Sequence, residues 1–337
     1  MKREYELSSR REFFSQAAGT MAILSAIAMQ RAQGDAAQTK NSFAYDVSHL
    51  QRTDPKLISH EEVARWKAPH AEARRLAVGP DGAIHVCSGN YVTALNTEGQ
   101  PAKAIALSEP PRCAVIAADG NAFIGVRDHL EVFDAKGNRI ATWDSAGAKS
   151  WFTGIALAEN DVFVADAGQR VILRYDRSGK LAGRLGERDP ERNIPGFIVP
   201  SPFFSVVLAR DGVLRVNNPG RHRMERYTTD GDFAGAWGKT SMGITGFCGC
   251  CNPISFALLP DGKYVTAEKG LPRVKIYDER GEFESVVAGA ETFAENAKAC
   301  GPSDCTAGGL DVAGDSQGRI YILDLVTGTI RVMQRKT

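Results

Sequence analysis

The sequence has no apolar run that reaches the ~20 residues of a membrane-spanning helix, and it has no excess of either charge. With 41 Lys and Arg against 40 Asp and Glu, the 337-residue chain carries a formal net charge of +1. A polytopic membrane protein is therefore excluded, and a nucleic-acid-binding protein, which normally presents a basic face, is disfavoured. The 34 glycines argue against a mainly helical fold, because glycine weakens helix interiors.

Several motifs of common enzyme classes are also missing. The chain contains no phosphate-binding loop, no G-x-S-x-G nucleophile motif and no H-E-x-x-H zinc motif. Its six histidines are scattered, so the sequence predicts no site at which several of them converge. The seven cysteines are an odd number and cannot all pair within one chain, so some of them are expected to serve another purpose.

The first residues resemble an export signal. The segment Ser9-Arg10-Arg11-Glu12-Phe13-Phe14 resembles the twin-arginine motif, and a mildly apolar stretch with an A-x-A sequence at 26–28 follows it. We expect residues 1–34 to be a signal peptide recognised by the twin-arginine export machinery. The mature protein, without a membrane span, would then be periplasmic or extracellular. That route carries folded proteins, often with a cofactor, so the resemblance favours a cofactor without identifying it.

Past residue 70 the chain repeats a unit of ~38–50 residues. Aromatic-Asp-x-x-Gly sequences at 133–137, 175–179 and 277–281 alternate with Asp-Gly turns and with short runs of β-branched and aromatic residues. Strands and turns at this period are typical of a β-propeller blade. The sequence predicts six blades, at about 73–107, 111–147, 151–189, 203–243, 253–289 and 307–336.

The sixth of these blades lacks an outer strand, because the chain ends soon after Met333. Residues 57–66, by contrast, precede the first blade and belong to no unit. We predict that the segment around Val63–Trp66 is the outermost strand of the last blade. This pairing would close the ring and remove two exposed sheet edges. Residues 35–72 would then form an N-terminal extension with the closing strand, and residues 73–337 the propeller.

The strings Val164–Val171 and Arg174–Gly179 resemble NHL repeats, and the resemblance extends over about residues 73–336. It implies an all-β, six-bladed propeller of the NHL type. It implies no particular reaction, because this architecture is used by lyases, lactonases, receptors and scaffolds.

Three connections between blades are longer than the others: 186–202, 238–252 and 289–307. Each joins the outer strand of one blade to the inner strand of the next, so all three should lie on one face around the central channel. Insertions on one face usually mark the working face of a repeat protein. The turns between second and third strands should add these polar residues to that face: Asp166, Asn217, Asn218, His222, Glu268, Lys269 and Asp324.

Five of the seven cysteines lie in two of these connections: Cys248, Cys250 and Cys251 before blade 5, and Cys300 and Cys305 before blade 6. Three interpretations stay open. The five could hold an iron–sulfur cluster or another thiolate-bound metal, although their spacing matches no known ligand pattern. They could form structural disulfides, which an oxidising compartment favours; adjacent Cys250 and Cys251 could bond to each other only through a strained eight-membered ring, which is rare. One of them could be a reactive thiol of low pKa.

Two charged groups could contribute to a site on this face. Glu268, Lys269 and Arg273, beside the cysteine loop, are candidates for binding a cofactor or an anionic ligand; the alternative is a solvated charged turn. A second group begins the inner strands of blades 1 and 2: Arg74, Arg75 and Arg112. These would either give the channel a positive charge suited to an acidic substrate or pair with acids at its rim.

The remaining cysteines, Cys87 and Cys113, lie in predicted strands, where an unmodified cysteine usually behaves as a small core residue. The leading hypothesis is an exported binding or redox module with a cysteine-ligated metal on its loop-rich face. The alternatives are a lyase or hydrolase with its site in the channel, and a scaffold that recruits another exported protein. The sequence does not decide whether the chain catalyses a reaction.

Overall fold

The computed structural model describes residues 48–295 and 308–337, and these ranges are built almost entirely from β-strands and turns. The strands form six four-stranded antiparallel sheets within the described chain. Short 3₁₀ helices occur at Ser48–Gln51, Pro55–Leu57, Pro219–Arg221 and Ala290–Phe293. No helix in the described ranges is both long and apolar enough to cross a membrane. The predicted signal peptide, at 1–34, lies outside the described residues and stays a prediction.

The six sheets are the blades of a propeller, each running from an inner strand to an outer strand. Blade 1 contains β2 (Ala73–Val78), β3 (Ile84–Ser88), β4 (Tyr91–Leu95) and β5 (Pro101–Ala106), and blade 2 contains β6 (Cys113–Ile116), β7 (Ala122–Gly125), β8 (Leu130–Phe133) and β9 (Arg139–Thr142). Blade 3 contains β10 (Phe152–Leu157), β11 (Asp161–Asp166), β12 (Val171–Asp176) and β13 (Leu181–Leu185), and blade 4 contains β14 (Val206–Leu208), β15 (Leu214–Asn218), β16 (Arg223–Tyr227) and β17 (Phe233–Trp237). Blade 5 contains β18 (Ser255–Leu258), β19 (Tyr264–Ala267), β20 (Val274–Tyr277) and β21 (Phe283–Ala288), and blade 6 contains β22 (Leu310–Gly314), β23 (Ile320–Asp324), β24 (Thr329–Arg335) and β1 (His60–Lys67).

The N-terminal strand closes the ring as the sequence predicts. Strand β1 pairs antiparallel with β24, with Trp66 opposite Ile330 and Lys67 opposite Thr329. Blade 6 therefore combines three strands from the end of the chain with one that precedes blade 1. The prediction of an all-β, six-bladed propeller closed by an N-terminal strand is confirmed.

The repeated turn sequence has a clear local cause. In the turn that follows β12, Asp176 Oδ1 accepts hydrogen bonds from the main-chain N–H groups of Ser178 at 2.8 Å and Lys180 at 3.0 Å. Gly179 completes the turn with a φ of 93°, which glycine adopts without a Cβ clash. The same pair of hydrogen bonds forms at Asp134 and Asp278, so the aspartate and the glycine together define the hairpin between the third and fourth strands.

These turn glycines also join neighbouring blades. Of the four tryptophans in the sequence, three pack directly on a turn glycine of the next blade: Trp66 on Gly99, Trp143 on Gly179, and Trp237 on Gly281. A side chain at any of these glycines would overlap the indole ring. The contacts occur at alternate blade junctions, from blade 6 to 1, from 2 to 3 and from 4 to 5. The fourth tryptophan, Trp151, lies elsewhere, at the end of the channel.

All six inner strands surround a central channel, and an ion pair crosses it. Arg75 Nη1 of blade 1 donates to Asp311 Oδ1 of blade 6 at 2.7 Å. Arg75 Nη2 also donates to Ser205 Oγ of blade 4 at 2.6 Å and to the carbonyl oxygen of Thr153 in blade 3. Ser255 of blade 5 donates to the same Asp311 oxygen at 2.6 Å. One buried network therefore connects five of the six blades.

We expect Trp66→Ala to destabilise the fold by about 2–4 kcal/mol, because it removes a large, partly buried ring from the junction between blades 6 and 1. The matched control is Val63→Ala on the same strand, whose side chain is 48% exposed and should matter little. Urea denaturation followed by circular dichroism measures both variants.

Deletion of residues 57–66 should lower the melting temperature further, and an unchanged value would contradict the closing role of β1.

Asp311→Ala should cost about 3–5 kcal/mol, since it leaves the buried Arg75 guanidinium without its counter-charge. Asp211→Ala serves as the control, because the Asp211 side chain is 54% exposed and solvent screens its pair with Arg215, which should be worth less than about 1 kcal/mol. The free energies of unfolding of the two variants should differ clearly. Equal losses would show that the ion pair in the channel does not hold the blades together.

Candidate functional site

The starts of the inner strands surround one end of the channel, which we call the mouth. A cavity of about 200 Å³ opens there. The connections 186–202 and 238–252 end at this face, because Phe203 lines the mouth and Ser255 follows the second connection. The cavity is lined by Ala73, Arg74, Arg75, Arg112, Trp151, Thr153, Pro202, Phe203, Ser255, Leu310, Asp311 and Leu325. Most of the third long connection, 289–307, lies outside the described residues.

The Arg75–Asp311 ion pair separates the mouth from the rest of the channel. Both residues line the mouth and also a second, larger cavity of about 670 Å³ towards the opposite end. The second cavity is lined largely by small and branched apolar residues of the inner strands, such as Val115, Ile155 and Leu258. The mouth thus carries three arginines, whereas the opposite end is lined mainly by apolar residues together with Glu159 and Arg177.

The three arginines of the predicted group have different environments. Arg75 donates to Asp311, to Ser205 and to the carbonyl oxygen of Thr153. Arg74 donates to the carbonyl oxygen of Gly89 at 2.9 Å and pairs with the exposed Glu72.

Arg112 makes no ion pair within the described residues; its guanidinium carbon lies 3.4 Å from the centroid of the Trp151 ring. Both predictions therefore hold in part: two arginines pair with acids, and one gives the mouth a positive charge.

Arg112 is the least satisfied of these groups. Its Nε is buried and has no hydrogen-bond partner in the described chain. Burial lowers the pKa of its guanidinium, and the nearby cations Arg74 and Arg127 lower it further. An arginine side chain remains protonated in spite of such a shift, so the mouth contains a cationic group in an unfavourable environment.

The cysteine loop lies on the same face, before β18. Cys248 and Cys251 are buried, with 4% and 1% of their surface exposed, whereas Cys250 is exposed. The Sγ atoms of Cys250 and Cys251 lie 3.3 Å apart. Burial raises the pKa of the Cys248 thiol, and the charge of Glu268 adds to this effect, so Cys248 is a neutral thiol near pH 7. Three thiols with different exposure are thus held in one short loop.

Side-chain hydrogen bonds hold this loop at both ends. Asn252 Nδ2 donates to the carbonyl oxygens of Cys248 at 2.6 Å and Lys269 at 3.0 Å, while its Oδ1 accepts from the N–H of Lys269 at 2.9 Å. His222 Nε2 lies 2.7 Å from the carbonyl oxygen of Gly249. Lys269 also reaches the mouth, because its Nζ lies 4.6 Å from the centroid of the Phe203 ring. Lys269 therefore contacts both the cysteine loop, through Asn252, and the mouth, through Phe203.

The charged group after β19 is buried and is not a solvated turn. Glu268, Lys269 and Arg273 are 0%, 3% and 2% exposed. Glu268 pairs with Arg273 at 2.6 Å and with Lys275, which the sequence analysis missed, at 2.9 Å. Burial lowers the pKa of Lys275, while the carbonyl oxygens of Ile244 and Gly246 accept its hydrogen bonds. Arg273 and Lys275 thus hold the connection 238–252 through its carbonyl oxygens. The binding role predicted for Glu268, Lys269 and Arg273 stays a prediction.

The two strand cysteines lie in the core as predicted. Cys87 and Cys113 are 0% and 1% exposed and are not bonded to each other. Burial raises the pKa of Cys113 to about 12 and that of Cys87 even further. Both are therefore inert thiols at neutral pH.

The predicted metal centre remains untested at two of its five ligands, because Cys300 and Cys305 lie outside the described residues. Within residues 48–295 and 308–337, no group of three or more Cys, His, Asp and Glu side chains is placed to hold a metal ion. Polar turn residues of this face accept hydrogen bonds from main-chain N–H groups instead. Asp166 accepts from the N–H of Trp151 at 2.9 Å, and Asn217 accepts from the N–H of Ser205 at 2.6 Å.

Sequence reasoning also missed three polar residues of the mouth: Asp311, Thr153 and Ser255. Asp311 lies in β22, one residue after the strand begins, and only the ring closure places it opposite Arg75. Trp151, just before β10, was not singled out either. Its position in the repeat could have indicated it, because Trp151 precedes an inner strand just as Arg112 precedes β6.

No family model and no curated protein sequence matches the chain. Among solved structures, a streptogramin B lyase is similar, with a TM-score of 0.56 and 11% identity over 82% of this chain and 98% of that one. Virginiamycin B lyase from Staphylococcus aureus has a TM-score of 0.55 and 14% identity over 82% and 100% of the two chains. A protein of unknown function from Bacteroides caccae has a TM-score of 0.52 and 14% identity over 65% and 82%. At these identities the similarity shows the six-bladed propeller fold alone.

Proposed function

We propose that the protein is a binding or redox module whose working groups are the thiols of the loop 248–251. The observation that carries this proposal is the contact between Cys250 and Cys251, with their Sγ atoms 3.3 Å apart. One thiol is exposed to solvent and the other is buried beside it. A solvent-accessible thiol beside a second cysteine that can resolve it is one feature of redox-sensor cysteines.

The redox step needs an oxidant, for which a small-molecule disulfide suffices. The Cys250 thiolate attacks one sulfur of that disulfide, whose S–S bond breaks and releases one thiolate. The Cys251 thiolate then attacks the Cys250 sulfur and releases the second. The two cysteine protons pass to the released thiolates, and the protein gives up two electrons as it forms the Cys250–Cys251 disulfide. A periplasmic or extracellular destination, proposed from the export signal, would supply such an oxidant.

The second candidate is the metal module that the cysteine pattern of the sequence favours. In that case Cys248, Cys250 and Cys251 would supply thiolate ligands together with Cys300 and Cys305, and iron–sulfur, zinc or copper would suit such ligands. The specific observation in its favour is that one loop gathers three cysteines around Gly249, whose φ of 74° permits a tight wrap.

Two other functions have less support. The similar lyases share the fold alone, and no histidine of the described chain lines either end of the channel. The carboxylate of Asp311 at the mouth is held by an ion pair, which leaves it poorly placed to act as a base. A scaffold for another exported protein stays a prediction that no contact supports.

We expect anaerobically purified protein to be colourless and metal-free, and to lose two thiols when it is equilibrated with oxidised glutathione. Thiol titration and peptide mass spectrometry should place the new disulfide between Cys250 and Cys251. Cys251→Ser should stop at a mixed disulfide with glutathione on Cys250, and Cys250→Ser should not react. The control is Cys87→Ala, which removes a buried core thiol and should behave like the unaltered protein.

The outcomes separate the two candidates. Stoichiometric metal or visible absorption that disappears in the Cys250→Ser and Cys300→Ser variants would support the metal module and overturn the redox pair. A disulfide that still forms in Cys251→Ser, between Cys250 and a cysteine of the 300–305 segment, would also overturn the pair. It would favour a structural role for these cysteines.

A further inference from the structure

The mouth of the channel has properties that the thiol chemistry does not use. Its floor is electrically neutral, because Arg75 and Asp311 neutralise each other. The Asp311 carboxylate is also saturated: Oδ1 accepts from Arg75 and Ser255, and Oδ2 accepts from the N–H of Leu76 at 2.7 Å. The acid that lines the mouth therefore cannot serve as a counter-ion for the other arginines there.

The walls of the mouth carry positive charge that lacks a buried counter-ion. Arg74 pairs with Glu72, whose side chain is 76% exposed, so solvent screens this pair. Arg112 forms no ion pair in the described part of the chain, and its buried Nε makes no hydrogen bond there. Its guanidinium is nevertheless fixed in place by the Trp151 ring beneath it, at 3.4 Å. A guanidinium that is held by stacking and has unused donors can bind a carboxylate or phosphate through two parallel hydrogen bonds.

Size and lining narrow the class of ligand. The cavity measures about 200 Å³, somewhat larger than the ~150 Å³ apolar cavity that accommodates benzene. Beside the arginines, its lining includes the rings of Trp151 and Phe203 and the side chain of Leu325. Such walls suit a flat or apolar group better than a fully solvated ion such as inorganic phosphate.

We propose that the mouth of the channel is a binding site for a small organic carboxylate with an unsaturated or aromatic body. Arg112 binds the carboxylate, Arg74 adds positive charge, and the aromatic walls enclose the body of the ligand. This site is distinct from the cysteine loop, and its existence does not depend on the thiol chemistry.

Benzoate is a suitable probe, and benzamide is its neutral analogue of the same shape. Isothermal titration calorimetry on the full chain should detect benzoate binding that weakens as the salt concentration rises. Benzamide should bind at least about tenfold more weakly, since it cannot form a charge-assisted pair. Arg112→Gln should reduce the affinity for benzoate about tenfold or more, and Arg112→Lys should restore only part of it, because lysine lacks the planar fork.

The matched control is Arg177→Gln, which removes the same charge at the apolar end of the channel, where Arg177 also stacks on an aromatic ring, that of Phe123. This variant should bind benzoate normally. The melting temperature of Arg112→Gln should stay near that of the unaltered protein, since the guanidinium makes no hydrogen bond that folding requires.

Three results would overturn the proposal. Equal affinities for benzoate and benzamide would show that charge is not recognised. Equal losses in Arg112→Gln and Arg177→Gln would place the ligand elsewhere. Tighter binding of inorganic phosphate than of benzoate would reject the assignment to organic carboxylates. Cys250→Ser should leave benzoate binding unchanged, so a failure here is distinguishable from a failure of the redox pair.

Discussion

The ion pair between Arg75 and Asp311 is the constraint on which the interior of this propeller depends. An ion pair withdrawn from water loses several kcal/mol of hydration per ion, and its Coulomb energy offsets that loss only when the remaining donors and acceptors are also satisfied. Here the partners come from blades 1, 3, 4, 5 and 6, so the network is complete only when the ring is closed. The pairing of β1 with β24 and the charge network in the channel therefore support each other.

The same network gives the two ends of the channel different chemistry. Because Arg75 occupies the carboxylate of Asp311, Arg112 makes no ion pair within the described residues, and its guanidinium stacks on the Trp151 ring. On the far side of the pair, the inner strands present small and branched apolar residues. A ligand that enters the mouth would meet charge and aromatic rings, and it would be stopped by the ion pair before it reached the apolar part.

The fold could be predicted from sequence because its signals are local. A turn such as 175–179 is defined by its own aspartate and glycine, and the missing outer strand of the last blade follows from counting strands. The mouth could not be predicted in this way. Arg74, Arg75 and Arg112 are equivalent as residue types, and which of them is saturated depends on Asp311, 236 residues from Arg75. The position of Lys275 could have been predicted. Side chains alternate along a strand, so Lys275 shares a face with Arg273, two residues before it.

The cysteine loop shows why spacing alone does not define a thiol site. Neighbouring side chains on an extended strand point to opposite faces, so Cys250 and Cys251 can meet only where the chain leaves that conformation. Gly249 with its positive φ, and the hydrogen bonds of Asn252 and His222, hold it there. The mouth, by contrast, is built on the starts of inner strands within the ring. A few side-chain hydrogen bonds open at lower free energy than a closed set of blades, so the disulfide that we propose for this loop would form without disturbing the propeller.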